Sequence, residues 1–310
     1  MSRVPHDSPV IRTMLAHRSV RAFADEPLPD GVEETLREVM RRGPTSSALQ
    51  TYTFVFVRDR AVRAGIRPWC GDQRWVEECP LLIIACSDQR RVEDAARARG
   101  YPYRASDLRI LVSSVEDLTI AMQNASLAAQ SLGLGTVMIG GVSNGAKEIH
   151  DLLDLPSRVV PLLGLCVGVP APSQRDLEPR PRIPAELVFH TDRYRLSAER
   201  EAALLAEHDR AVAGRGYYEG RRLGWDAIHD EPAGEDPVPD DGYGWTEHVA
   251  RKQARTWWTR FGPKILHDLE ALGLRIVPRD PTSHDPTAPD ATAPDPTAPD
   301  GPTGPERSTP

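Results

Sequence analysis

His17-Arg18-Ser19-Val20-Arg21 gathers two guanidiniums, an imidazole and a hydroxyl into five residues. Arginine forks pair bidentately with phosphate or carboxylate oxygens, so the group suits an anionic ligand. Taken alone it reads more simply as a charged cap, because a helix C-terminus favours cations through its dipole. Four further stretches favour the ligand: Gly43-Pro44-Thr45-Ser46-Ser47-Ala48-Leu49-Gln50, Gly71-Asp72-Gln73, Ile139-Gly140-Gly141 and Arg180-Pro181-Arg182-Ile183-Pro184. A cationic knot, a hydroxyl-rich turn, a glycine pair after an apolar strand and a second arginine pair fit one kind of molecule. It would carry a phosphate, a polar chain and a flat ring.

The elements that must hold these residues alternate along the chain. Ser8-Pro9 opens a short helix with Val10, Ile11, Met14 and Leu15 on one side, and the knot follows it. Pro29-Asp30 opens a second helix along Val32, Leu36, Val39 and Met40, stopped at Gly43-Pro44. Phe54 to Val57 and Leu81 to Cys86 read as buried strands, with a polar loop or short helix from Trp69 to Glu78 between them. Val92 to Leu111 suggests a helix and then a loop. Ser113 with Glu116 forms a capping box for a long central helix through Leu132, ended by Gly133. Thr136 to Ile139 and Val159 to Val169 are further strands, with a helix capped by Asn144 between them and an edge strand at Leu187 to His190. Helical patterns cover Ala198 to Ala213 and Trp245 to Leu272, the latter broken at Gly262-Pro263. The Trp257-Trp258 pair reads as core or interface packing. The alternation fits an α/β layer or an α+β arrangement with helices gathered on the sheet.

The chain has 310 residues, enough for a sizeable core. Its net charge of −7 is unevenly spread. Residues 229–244 carry −6 and residues 280–310 carry −5, so the remainder carries +4. That mild excess suits small anions and falls short of a nucleic-acid surface. Cys70, Cys79, Cys86 and Cys166 lie singly, and Cys86 and Cys166 sit inside apolar runs as buried thiols, which points to a reducing, cytoplasmic setting. No apolar run reaches membrane-spanning length. Metal-ligand spacings are missing, G-x-S-x-G is missing, and Gly133-x-Gly135 precedes a strand rather than following one. Residues 229–244 read as an acidic surface insertion. Residues 280–310, repeating Thr-Ala-Pro-Asp, read as a tail too polar to order itself.

Taken in order, the motifs resemble the FMN-dependent nitroreductases, and within them the oxygen-insensitive NADPH nitroreductase and flavin reductase branch. The resemblance rests on His17-Arg18-Ser19-x-Arg21, Ser46-Ser47-x-Leu49-Gln50, Gly71-x-Gln73, Ile139-Gly140-Gly141, Leu165-Cys166-x-Gly168 and Pro181-Arg182-Ile183-Pro184. It spans His17 to Leu274 apart from the acidic insertion. It implies an α+β fold with a mixed sheet flanked by helices, an intertwined homodimer, and FMN held at the dimer interface by residues 1–279.

Carried over by position, His17, Arg18, Ser19, Arg180 and Arg182 would hold the phosphate and ribityl chain. Arg21 would face the N1/O2 edge of the ring, Gln73 its polar edge, and a backbone N–H at Gly140 or Gly141, after Ile139, its N5. Thr45, Ser46, Ser47 and Gln50 would border the ring from the partner subunit or from the ribityl side. Tyr217-Tyr218-x-x-Arg221, with Arg222 beside it, resembles the stretch that meets the 2′-phosphate of NADPH. The implied activity is ping-pong, two-electron reduction of nitroaromatics, quinones or flavins by NAD(P)H. Alternatives on the same fold are a specialised flavin reductase or dehydrogenase, or a flavin-binding module without turnover. The family shows a serine run at Pro44-Thr45 and a lysine at Arg180, and one extra residue precedes Arg182.

Overall fold

Leu81-Leu82-Ile83-Ile84-Ala85-Cys86 is apolar at every position, a pattern that requires cover on both faces of a strand. The computed structural model describes residues 5–175, 177–225, 235–239, 242–255 and 257–276 and supplies that cover. Strands β1 (Tyr52–Val57), β2 (Leu81–Asp88), β3 (Gly135–Ile139) and β4 (Val159–Gly168) form one sheet in the order β1-β2-β4-β3. Every pair among them is antiparallel. Their helices are α1 (Pro9–Leu15), α2 (Val32–Met40), α3 (Arg60–Ile66), α4 (Arg74–Glu78), α5 (Arg90–Ala98), α6 (Asp107–Ser131), α7 (Ala146–Leu152), α8 (Ala198–Ala213), α9 (Trp245–Ala254) and α10 (Trp257–Ala271).

The period of two along β2 sorts its side chains between two cores. Leu81, Ile83 and Ala85 pack with Leu36 and Met40 of α2 and with Leu118, Met122 and Ala125 of α6. Leu82, Ile84 and Cys86 pack on the other face with Ile66 of α3, Val76 of α4, Val142 and Ile149. Helices on both faces explain why an antiparallel strand here reads as a continuous apolar run. All four cysteines are buried free thiols. Among the described residues, no helix is long and apolar enough to cross a membrane.

Several elements differ from the sequence reading for identifiable reasons. The sheet is mixed only through an isolated parallel bridge between Ser19 and Thr136. β1 is an edge strand, so only Val57 is fully buried. α6 starts at Asp107, where Ser106 caps the Arg109 amide, and Ser113 is an interior residue accepting from Arg109 Nη1. Two polar capping signals lay in tandem there, and the earlier one starts the helix. Gly145 rather than Asn144 precedes α7, with no side-chain cap. Residues 187–190 form no strand: Ala185–Leu187 is a 3-10 turn, and Phe189 projects outward. The last helical pattern breaks at Arg255, whose extended backbone ends α9, while Pro263 lies inside α10.

Three expectations fall differently again. The side chains of Trp257 and Trp258 and the tail lie outside the described residues. The acidic stretch is more than a surface insertion, because Asp236 pairs with the buried Arg251 and Tyr243 is buried. Finally, α1 forms on its Ser8 cap as expected, yet Val10, Met14 and Leu15 stay largely exposed.

Candidate functional site

The knot reaches the sheet through one backbone stitch. Val20 N–H donates to the Thr136 carbonyl at 2.9 Å, beside the Ser19–Thr136 bridge. Gly135 permits this approach, since a Cβ there would lie 2.7 Å from Val20 Cγ1. His17 is oriented from α6: its Nδ1 donates to Gln130 Oε1 at 3.0 Å, and Gln130 Nε2 donates to the Ser126 carbonyl and hydroxyl. The amide oxygen can only accept, which fixes the proton on Nδ1.

Around that knot lies a cation-rich pocket. His17, Arg18, Ser19 and Arg21 line it with Glu178, Arg180, Arg182, Tyr217 and Arg221. Arg18 Nη2 donates to the Arg175 carbonyl at 2.7 Å, while its buried Nε has no hydrogen-bond partner among the described residues. Arg180 Nε donates to Tyr217 Oη at 2.7 Å, and Arg221 lies over the Tyr217 ring at 4.8 Å. Partial burial, then the like charges of Arg180 and Arg221, push the Arg21 guanidinium below its ordinary pKa. It stays charged, since arginine does not lose its proton in proteins. Among the described residues, five guanidiniums face one carboxylate, Glu178. Such a surplus with an orphaned buried N–H is a site built for an anion.

The glycine pair stands at the other end of β3. Thr136 to Gly140 is four residues, a rise of about 13 Å. Gly140 has open space where a side chain would be, and Gly141 packs its Cα against the Cys70 backbone. Gln73 sits beside them, its Nε2 donating to the Cys70 carbonyl at 2.6 Å. Trp75 of α4 joins the two ends, with Arg21 Cζ 5.8 Å from its ring centroid. A cation-lined pocket, a strand's length and an uncluttered glycine surface therefore follow one another.

Two groups of sequence-selected residues do not join this arrangement within one chain. Thr45, Ser46, Ser47 and Gln50 precede β1, at the sheet edge opposite β3 and about 14 Å away across three strand spacings. Their turn is held by Asp117 Oδ1, which accepts from Ser46 N–H at 2.9 Å, and Ser47, Ala48 and Gln50 take left-handed φ of 51°, 54° and 51°. Arg222 turns away from the pocket, its Nη2 donating to Asp236 Oδ2 at 2.8 Å and the Val238 carbonyl at 2.7 Å. The carboxylate is the better partner, so Arg222 does not stand beside Arg221. Sequence reasoning passed over Gln130 and Glu178, and gave Trp75 no role in the site. None lies in a recognisable motif, and only tertiary packing brings them to the site.

Residues 14–169 match the family model described as the Nitroreductase family. An oxygen-insensitive NADPH nitroreductase of Salmonella typhimurium is 38% identical over 208 residues, 66% of this chain and 82% of that protein. The chain belongs to the nitroreductase family. Solved nitroreductase-like structures agree: the hypothetical oxidoreductase YcnD of Bacillus subtilis superposes with a TM-score of 0.73 at 28% identity, covering 87% of this chain and 99% of that one. The NADPH:FMN oxidoreductase of Vibrio harveyi, complexed with NAD+, gives 0.66 at 28% identity, covering 86% and 99%.

The glycine surface is testable without any ligand. A Cβ on Gly141 would lie 2.9 Å from Cys70 Cα, whereas one on Gly140 meets nothing within 4 Å. Gly141→Ala should cost about 1–3 kcal/mol in urea denaturation, and Gly140→Ala within about 0.5 kcal/mol. Equal losses would show that the two glycines are not packed differently.

Proposed function

We propose that this nitroreductase is an FMN-dependent NAD(P)H oxidoreductase that reduces nitroaromatics, quinones or free flavins in two-electron, ping-pong turnover. The observation that carries the reading is the convergence of Arg18, Arg21, Arg180, Arg182 and Arg221 on one pocket, a strand's length from Gly140-Gly141. Relatives named as NADPH nitroreductase and NADPH-flavin oxidoreductase support it. When bound, FMN supplies the two-electron chemistry, taking hydride from NAD(P)H and passing electrons to the acceptor. His17, Arg18, Ser19, Arg180 and Arg182 hold its phosphate and ribityl chain, where the surplus of guanidiniums and the Arg18 Nε–H fit an anion. Arg21 keeps a fixed cation beside the pyrimidine edge, and such a charge favours the reduced, anionic ring. Gln73 lies at the polar edge. Ile139, Gly140 and Gly141 leave one face clear, so that nicotinamide and acceptor can stack there in turn.

Thr45, Ser46, Ser47 and Gln50 complete the site from a second copy of the chain, since the sheet separates them from Gly140 in their own. The exposed apolar residues of α1 and the row Leu108, Val112 and Val115 on α6 support such an interface. The domain that does this work spans residues 1–279, with 280–310 a separate tail. Four buried thiols support the cytoplasm as its setting. Arg221 receives the 2′-phosphate of NADPH.

Anaerobic addition of NADPH to the purified protein should bleach a bound flavin, and menadione or nitrofurazone should restore the colour. Double-reciprocal plots should be parallel. A colourless protein that takes up no added FMN ends the reading, and a flavin that NADPH leaves oxidised points to binding without turnover.

Two substitutions test residue roles. Arg18→Ala should weaken FMN by about 2 kcal/mol, roughly 30-fold, in a flavin titration; an unchanged titration removes Arg18 from the phosphate. Arg221→Ala should raise KM for NADPH roughly tenfold and leave NADH within about twofold. Equal shifts for both dinucleotides remove it from the 2′-phosphate.

A further inference from the structure

The chain just beyond Arg221 is clamped from the side away from the pocket. Arg251 of α9, 1% exposed, grips Asp236 with both arms, Nη1 to Oδ2 and Nη2 to Oδ1 at 2.7 Å each. The same Nη1 donates to the Leu223 carbonyl at 3.0 Å, and Tyr243 Oη accepts from Leu223 N–H at 3.1 Å. Both backbone groups of Leu223, two residues past Arg221, are thereby tied to α9 and the acidic stretch. Arg222 is taken by the same Asp236 carboxylate and by the Val238 carbonyl. Arg222 and Arg251 also lie over the Tyr243 ring, at 4.7 and 5.0 Å. Glu247 Oε1 accepts from Arg251 Nε at 2.6 Å, completing the partners of a buried cation. Tyr218 stacks on His248 of α9, and on the pocket side Arg221 Nη1 donates to the Tyr217 carbonyl at 2.9 Å.

A buried guanidinium stays in place only while its carboxylate does, because one ion left unpaired in the interior is costly. Asp236 shares Arg251 with Glu247 and also takes Arg222, so it ties Arg251, Leu223 and Arg222 together and through them bears on where the 217–221 turn presents Arg221. We propose that Asp236 is a positioning residue for dinucleotide choice: by holding Arg222 and, through Arg251 and Tyr243, Leu223, it keeps Arg221 poised for a 2′-phosphate. Asp236 lies in the acidic stretch that the motif resemblance does not cover. The proposal rests on the assignment of Arg221 to the 2′-phosphate. The gain comes from pre-organisation, since a long arginine side chain held before the ligand arrives loses less freedom on binding.

The experiment uses the FMN-loaded enzyme, with two readouts: KM and kcat for NADPH and NADH, and the Kd of 2′,5′-ADP from the flavin spectral change. Asp236→Ala should raise KM for NADPH and Kd for 2′,5′-ADP by about tenfold each, with KM for NADH and kcat within about twofold. Asp236→Asn keeps an acceptor and should fall between. Tyr243→Phe keeps the ring, loses only the hydroxyl that takes Leu223 N–H, and should shift the same two quantities by a smaller factor; it carries the test if Asp236→Ala does not fold. Arg221→Ala is run alongside. If Arg221→Ala spares NADPH, the 2′-phosphate assignment and the proposal both fall. If Arg221→Ala is NADPH-specific while the Asp236 and Tyr243 variants alter neither dinucleotide, or both alike, the clamp alone is overturned.

Discussion

The Val20 isopropyl group occupies space that any side chain at position 135 would fill, and its amide spends its hydrogen on the Thr136 carbonyl. Everything ligand-facing at the N-terminal end depends on this contact. α1 contributes no buried residue of its own, so a seven-residue helix and the cationic segment after it would otherwise have little to hold them. The stitch fixes the segment along β3, and Gln130 fixes His17 from α6. Ser126 and Thr136 close the same network, their hydroxyls 2.9 Å apart in the interior. A buried polar cluster satisfied in this way specifies position more than it adds stability.

Assembling five guanidiniums beside one described carboxylate carries a standing electrostatic cost, which adds to burial, the larger cause, in the downward push on Arg21. Among the described residues the partners are neutral: Arg180 leans on a phenol, Arg221 on a carbonyl and an aromatic face, Arg18 on a carbonyl. Elsewhere the chain pairs its arginines with acids, as at Arg158 with Asp107 or Arg67 with Glu77. The contrast marks the pocket as a place where the missing charge is supplied from outside. An anion that binds the folded state then stabilises it by mass action, so ligand and fold are linked.

Chemistry was more legible in the sequence than architecture. Motifs such as His17-Arg18-Ser19-x-Arg21 and Ile139-Gly140-Gly141 are contiguous, and contiguous residues declare their types without needing a fold. α8 was readable to the residue because Ser197 and the helical period agree. The antiparallel pairing of β2 with β4 was not, since an apolar run is silent about its partner's direction. Nor was the part played by the acidic stretch. Its composition resembles a solvated loop, and only the fold brings Arg251 to Asp236 from fifteen residues away. Arg221 and Arg222 show the same limit at its sharpest, as neighbours of one type sent to opposite sides by partners distant in sequence.

The sheet order carries the last consequence. With β2 and β4 between them, β1 and β3 cannot approach, so the turn at 45–50 and the glycines at 140–141 stay on opposite edges of a rigid layer. The turn is nonetheless held expensively: three non-glycine residues in left-handed φ, and Asp117 Oδ1 accepting Ser46 N–H while its Oδ2 is buried with no hydrogen-bond partner among the described residues. Desolvation pushes the Asp117 carboxyl above its ordinary pKa, a cost that the Ser46 amide only partly offsets. A loop serving merely to join α2 to β1 would have relaxed to cheaper conformations. Strain of this kind persists where geometry matters to something outside the loop. If that something is the ligand of the cationic pocket, the site is complete only when the edge of one sheet meets the glycine surface of another. That geometry is the ground for the proposed pairing of two chains.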